Sequence, residues 1–255
     1  MSPDPNPIQK HLRCRVGDVA PYVLVPGDPG RARRIAERFD GAKLVGDNRE
    51  YLVFTGAYHG VPVSVCSTGI GGPAASIAFE ELVRLGARVL IRVGSAGGRQ
   101  KEIPIGTPVV LTAAYRGEGT TRAYLPPEFP AVANREITNA LVAALEESGK
   151  RFEVGIGYTR DAYYAQDADL NARLTSAGVV AAEQEAAVLF IVATARRVAA
   201  GAIVSTDSNI LLERQPALEE KEALFSVGEK AAIDAALSAI EKLFHTGFGT
   251  AAPAS

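Results

Sequence analysis

An arginine at position 92 interrupts the apolar run "VLIRVGSAGG", two residues before a glycine-rich turn. Arginine is rarely buried unless it is paired. Arg92 is therefore either one half of an internal salt bridge or a planar fork aimed at an oxyanion. Two other arginines share the second reading. Arg31 follows the turn Pro26-Gly27-Asp28-Pro29-Gly30, and Arg49 lies in "DNREY". Three glycine-rich turns, at 27–30, 69–72 and 94–98, follow apolar runs. Glycine lets backbone N–H groups face an anion, and a helix N-terminus adds favourable potential. One such turn alone is a mere connection. Three turns together with three arginines suit phosphate.

Acids gather in the second half. Glu183 and Glu185 open "EQEAAVLF". On a surface helix they would be a solvated first turn favoured by the helix dipole. Their apolar neighbours instead turn at least one carboxylate toward a pocket, where it can accept from both hydroxyls of a ribose. Asp207, in "GAIVSTDSN", stands at the carboxyl end of an apolar strand, where α/β sheets collect site residues; its simpler role is to cap the next segment.

Other chemistries lack their motifs. No GxGxxG follows a strand, and neither GxxxxGK[ST] nor GxSxG occurs. His11, His59 and His245 have no metal-ligand spacing, so no metal site is expected. A formal charge of −2 over 255 residues offers no broad basic face for nucleic acid. Two cysteines, Cys14 and Cys66, fit a reducing compartment, although composition leaves one bridge open. Without a signal pattern or an 18-residue apolar run, the expectation is a cytoplasmic protein with no membrane partner.

The elements that must position these residues alternate. Strand-like runs lie at 22–25, 62–67, 88–93, 107–113 and 198–205. Helical patterns cover 29–39, 73–85, 135–148, 183–197 and 218–244, with Pro73 suited to a first helical position. Alternation of this kind predicts an α/β fold, a single domain over 8–246 with a central mixed sheet and helices on both faces. Residues 1–7 and 247–255 are expected to be loose.

In order along the chain, "PGDPGR", "NREY", "STGIGGP", "IRVGSAGG" and "AAEQEAAVLF" resemble the motifs of the hexameric nucleoside phosphorylases, from His11 to about Phe244. That family comprises bacterial purine nucleoside phosphorylase, uridine phosphorylase and archaeal methylthioadenosine phosphorylase. The resemblance implies a partly barrel-like sheet and phosphorolysis to free base and ribose 1-phosphate. Inorganic phosphate would be the co-substrate, with no cofactor. It implies phosphate binding by Gly27, Arg31, Arg92 and Ser95, with Arg49 reaching the phosphate from a neighbouring subunit of a hexamer. His11 would likewise reach the ribose across the interface, with Gln184 and Glu185 on the ribose. Ala96, Gly97, Tyr163, Glu183 and Asp207 would line the base, and Asp207, Arg92 and Lys221 would serve catalysis.

Four departures refine that expectation. Gln184 replaces the usual methionine. "AQDAD" lacks the Gln-x-Arg of uridine phosphorylases, which favours purine over uridine. "STDSN" is one residue longer than the family's V-S-D-[HN], which loosens the register around Asp207. Lys221 takes the position of the arginine that partners the acid in bacterial purine enzymes. Two other classes share the fold: a nucleosidase, which should lack the arginine set, and a non-catalytic binding protein, which could lose Glu185 or Asp207.

Overall fold

The computed structural model describes residues 6–250. Ten strands and six α-helices follow one another as β1 (Tyr22–Leu24), α1 (Pro29–Ala36), β2 (Asp40–Asn48), β3 (Tyr51–Tyr58), β4 (Val61–Cys66), α2 (Gly72–Arg84), β5 (Val89–Gly98), β6 (Pro108–Gly117), β7 (Ala131–Val132), α3 (Arg135–Ser148), β8 (Glu153–Arg160), α4 (Ala168–Ser176), β9 (Ala181–Glu183), α5 (Ala186–Ala195), β10 (Ala199–Ser208) and α6 (Leu218–His245). They form one mixed sheet. Strands β10, β6, β8, β9 and β5 are neighbours in that order, and β5 pairs again with β10, which closes a small barrel. From β5 the sheet continues as an open wing through β1, β4, β3 and β2. The expected single α/β domain with a partly barrel-like sheet is what forms.

Burial explains the layers. Strands β1 and β5 are nearly all apolar and buried on both faces, as central parallel strands must be. One face packs Phe79 and Leu82 of α2 and α5, which is apolar apart from Thr194. The other packs Ile35 of α1, Leu141 of α3 and Ile240 of α6.

Several boundaries differ from the sequence reading. The pattern at 183–197 divides, because Glu183 ends β9 and the helix starts at Ala186. Strands β2, β3, β8 and β9, and helix α4, were not marked by apolar alternation; β2 is largely exposed and rich in glycine and charge. The expectation of loose termini is corrected at both described ends. Asn6 is tied to Val16 by side-chain and backbone hydrogen bonds of 3.1 Å. The Tyr22 hydroxyl donates to the carbonyl of Phe248, whose ring packs on the core. The remainder of that expectation, 1–5 and 251–255, lies outside the described residues.

Candidate active site

Two of the three glycine turns singled out in the sequence lie at the carboxyl ends of β1 and β4; the third, 94–98, is corrected, because its residues continue β5 and pair with β10 and β9. The first two are stitched together: Thr68 N donates to Pro26 O at 2.9 Å and Gly69 N to Gly27 O at 3.0 Å. A side chain at Gly27 would press on the Gly69 carbonyl, so this close approach needs glycine. The helix N-terminus behind the first turn differs from expectation. Asp28 caps α1 and accepts from Gly30 N and Arg31 N at 2.9 and 2.8 Å, so these amides already have an anion. Burial opposes the Asp28 charge. The two amides and the charges of Arg31 and Arg34 outweigh it and hold the carboxyl below its ordinary value.

Arg31 is buried and donates Nε to Glu229 Oε1 at 2.5 Å and Nη1 to the Val93 carbonyl at 3.2 Å. Arg34 reaches both oxygens of the same Glu229. Glu229 was not foreseen. The available signal was an acid on the apolar stripe of α6, three and four residues before buried Ala232 and Ile233.

Arg92 meets the first of its two readings, an internal salt bridge, and does so with two acids. Its Nε donates to Glu183 Oε2 at 2.9 Å and its Nη2 forms an ion pair with Glu185 Oε2 at 2.6 Å, with all three side chains almost fully enclosed. Nη1 is left over, and the guanidinium lies against Gly94, where any Cβ would collide with it. Although burial disfavours its charge, the two carboxylates hold Arg92 firmly protonated. One cation cannot neutralise two acids. Burial, with Glu183 adjacent, raises the Glu185 carboxyl despite Arg92 and the hydrogen bond from Gly71.

The two glutamates have different jobs. Glu183 accepts from Thr159 Oγ1 at 2.5 Å, from Glu185 N and Ala186 N at 2.8 Å each, and from Arg92. It caps the start of α5 and is saturated, which corrects its assignment to the base: Glu183 positions Arg92. Glu185 accepts from Gly71 N at 2.6 Å, pairs with Arg92, and keeps lone pairs for a diol. Gly71 has φ +87°, so the second glycine turn exists to aim that amide.

Around these groups, Ser95 and Gly97 are half-buried on β5 and Ala96 is buried. The Gln184 amide donates to the Asp161 carbonyl at 2.8 Å. Tyr163 is 57% exposed and packs edge-on against Tyr164. The extra residue in "STDSN" has a structural meaning. Pairing of β10 with β5 passes from Thr206–Ala96 to Ser208–Gly97, so Asp207 is the residue of a β-bulge. Bulges re-aim side chains beside sites. Asp207 is half-buried and accepts from its neighbour Ser208 Oγ at 2.7 Å. Lys221, in the first turn of α6, makes no ion pair or hydrogen bond with Asp207, so the two are not joined as a pair.

His11 and Arg49 stand apart from the cluster. Buried Glu81 holds the His11 segment through His11 Nδ1 at 2.7 Å and the amides of His11 and Leu12. Asn48 donates to the His11 carbonyl at 2.8 Å, which ties that segment to the β2–β3 turn. There Arg49 is exposed at φ +57° and bonds none of Arg31, Arg92 or Glu185. Among the described residues, no group of three or more His, Cys, Asp or Glu could hold a metal ion, and no helix is long and apolar enough to cross a membrane.

Residues 21–241 match the model of the phosphorylase superfamily. The chain belongs to that family. It is a nucleoside phosphorylase, and such enzymes are pentosyltransferases. It is 41% identical over 210 residues to uridine phosphorylase of Treponema pallidum, covering 78% of this chain and 81% of that one. It is 38% identical over 216 residues to guanosine phosphorylase of Halorubrum lacusprofundi, covering 85% and 90%. The crystal structure of uridine phosphorylase from Vibrio fischeri superposes with a TM-score of 0.86 at 34% identity, covering 92% of this chain and 97% of that one.

Proposed function

We propose that this phosphorylase cleaves purine nucleosides with inorganic phosphate, releasing free base and ribose 1-phosphate, in a hexamer built from dimers that share their sites. The observation that carries the reading is the enclosed Arg92, fixed by Glu183 and Glu185 with Nη1 still free beside Gly94 and Ser95 of β5. Phosphate sits at that nitrogen, Ser95 and the Gly27 turn, with Arg31 behind it. Glu185 accepts from the ribose 2′ and 3′ hydroxyls. One carboxylate thereby ties the sugar to the guanidinium that holds the nucleophile, which sets the reacting atoms in line.

As the C1′–N bond lengthens, positive charge grows on the ribose and negative charge on the base. Phosphate stabilises the first at close range, in a site that keeps water out. Asp207 stabilises the second by donating a proton toward purine N7, a contribution of about 10²–10⁴-fold when such an acid is well placed. Tyr163 covers the base, and Gln184 underlies the sugar.

Uridine is the second reading. It is favoured by the names of the relatives from Treponema pallidum and Vibrio fischeri. Phosphate-dependent release of base from inosine, guanosine, adenosine and uridine tests both; cleavage that proceeds equally without phosphate would overturn phosphorolysis.

Sharing of sites follows from Arg49 and His11, which the hairpin turn and Glu81 present together at a distance from the Arg92 cluster. Arg49→Ala and Glu185→Ala proteins should each be nearly inactive. Mixed with verified subunit exchange, they should regain activity through hybrid sites. No recovery would sink the shared site.

A further inference from the structure

Two guanidiniums on the base side of the site have no acid. Arg99 is 7% exposed, and none of the described residues forms a hydrogen bond or ion pair with its side chain. Arg160 ends β8 with Nε and Nη1 both buried and unpartnered. The two charges sense one another: burial first, and Arg160 second, push the Arg99 guanidinium below its ordinary value. The nearest acid in sequence, Asp161, is spent on Gly119 N at 2.9 Å. Like charges buried without acceptors cost stability. Every other enclosed arginine of the site has its glutamate.

Register fixes where this pair faces. Gly97 of β5 and Tyr158 of β8 both pair with Ala182 of β9, so all three project to one side of the sheet. Arg99 lies two residues beyond Gly97, its amide still bonded to Val180 O at 2.9 Å, and Arg160 lies two beyond Tyr158. Both therefore share that side. Gly97 and Ala182 give a floor with almost no side chain. Tyr163 lies over the Arg160 guanidinium at 5.7 Å, and Ser208 Oγ borders the space above Gly97. The side so lined is a slot whose two arginines offer only N–H donors.

We propose that Arg99 and Arg160 select nucleosides whose base carries carbonyl oxygens, uracil or a 6-oxopurine, and disfavour bases that turn an amino group to that wall. The inference rests on the phosphorolysis reading and cuts across the choice of purine or pyrimidine. In the reaction the C1′–N electron pair leaves with the base while a phosphate oxygen bonds to C1′. On an oxo base that charge spreads onto the carbonyl oxygens, where the two guanidiniums receive it until Asp207, for a purine, or solvent supplies a proton. The amino group of adenine would set donor against donor.

Two measurements test this. With the parent enzyme, kcat/KM for inosine and uridine should exceed those for adenosine and cytidine. In Arg160→Met and Arg99→Met, the ratio of inosine to adenosine should fall about 10- to 100-fold, the loss expected when charged hydrogen bonds to an acceptor disappear. Melting temperature should hold or rise, because a like-charge contact is relieved. An unchanged ratio, or a lowered melting temperature with equal losses on every substrate, overturns the proposal. The second measurement is calorimetric binding of the free bases in phosphate buffer. Hypoxanthine and uracil binding more tightly than adenine and cytosine would support the slot even if turnover were absent, in which case phosphorolysis alone would fail. Equal binding of all four bases would overturn the slot even in an active phosphorylase.

Discussion

Replacing Arg92 by methionine keeps the length and apolar stem of the side chain but strips the only cation from between Glu183 and Glu185. Both carboxylates are almost completely enclosed, at 1% and 6% side-chain exposure, so water cannot take over for the guanidinium. Breaking a buried pair by removing one partner costs about 3–5 kcal/mol. At roughly 2–4 °C per kcal/mol for a domain of about this size, the melting temperature should drop by roughly 6–20 °C. The loss should depend on pH, with a definite sign. Burial already raises the Glu185 carboxyl in the parent protein, and without Arg92 it rises further. An acid whose folded value is raised contributes stability below its unfolded value and loses it as pH climbs through the folded value. The deficit of the variant should therefore be largest near neutrality and shrink as pH falls through the carboxylate range. Circular-dichroism melts of both proteins between about pH 5 and 8 read this directly. Adding Glu185→Gln to Arg92→Met should restore part of the lost stability, because one uncovered charge is gone. A drop of under about 2 °C, or a deficit that does not vary with pH, would refute the claim that Arg92 balances two buried acids.

Asp207→Asn should separate substrates by their need for a proton: a large loss of kcat/KM on inosine and a small one on 7-methylguanosine, whose ring is already cationic. Equal losses would remove Asp207 as the acid. Both thiols should resist alkylation at neutral pH until the chain is unfolded. Burial, and then Asp18 and Glu81, push Cys14 up to about 12, and burial raises the fully enclosed Cys66 well above its ordinary value. Rapid modification of native protein by iodoacetamide would contradict that enclosure.

The arginines and glycine turns were legible because their residue types contradict their surroundings. An arginine in "VLIRV" and glycines after apolar runs are visible without any fold. Helix α3 was legible to the residue, since Asn134 caps it and Gly149 ends it in the left-handed conformation. Strands β2 and β8 were not, because β2 is mostly exposed with Gly46 as its buried residue, and β8 exposes Val154 and Ile156 while burying Gly157, so no apolar period of two marks an inner face. The partners of the arginines were hidden for another reason. Glu229 and Thr159 lie 198 and 24 residues from the groups they bond, and only the sheet order brings them together. The division between Glu183 and Glu185 likewise depends on a chain reversal. Glu183 ends a strand and bends its carboxylate over the helix that follows, while Glu185 opens that helix and turns to Gly71.

Charge within the site bears on the proposed assembly. Arg31 and Arg34 face Glu229 and Asp28, and Arg92 faces Glu183 and Glu185. Inside one chain the cations of the cradle are thus outnumbered by acids, and a phosphate dianion entering it meets no net positive field. Two changes would supply one. Glu185, whose carboxyl burial raises, has part of its negative charge offset whenever the ribose hydroxyls donate to it. The other change is a further guanidinium, and Arg49 is exposed on the β2–β3 turn, beside the carbonyl of His11 that Asn48 holds. In the proposed dimer, its arrival from the neighbour turns a charge-deficient cradle into one that can hold phosphate. Sharing of sites then has an electrostatic cause: each chain spends the arginines of its phosphate cradle on fixing its acids, and the cation that offsets the phosphate is left to its partner.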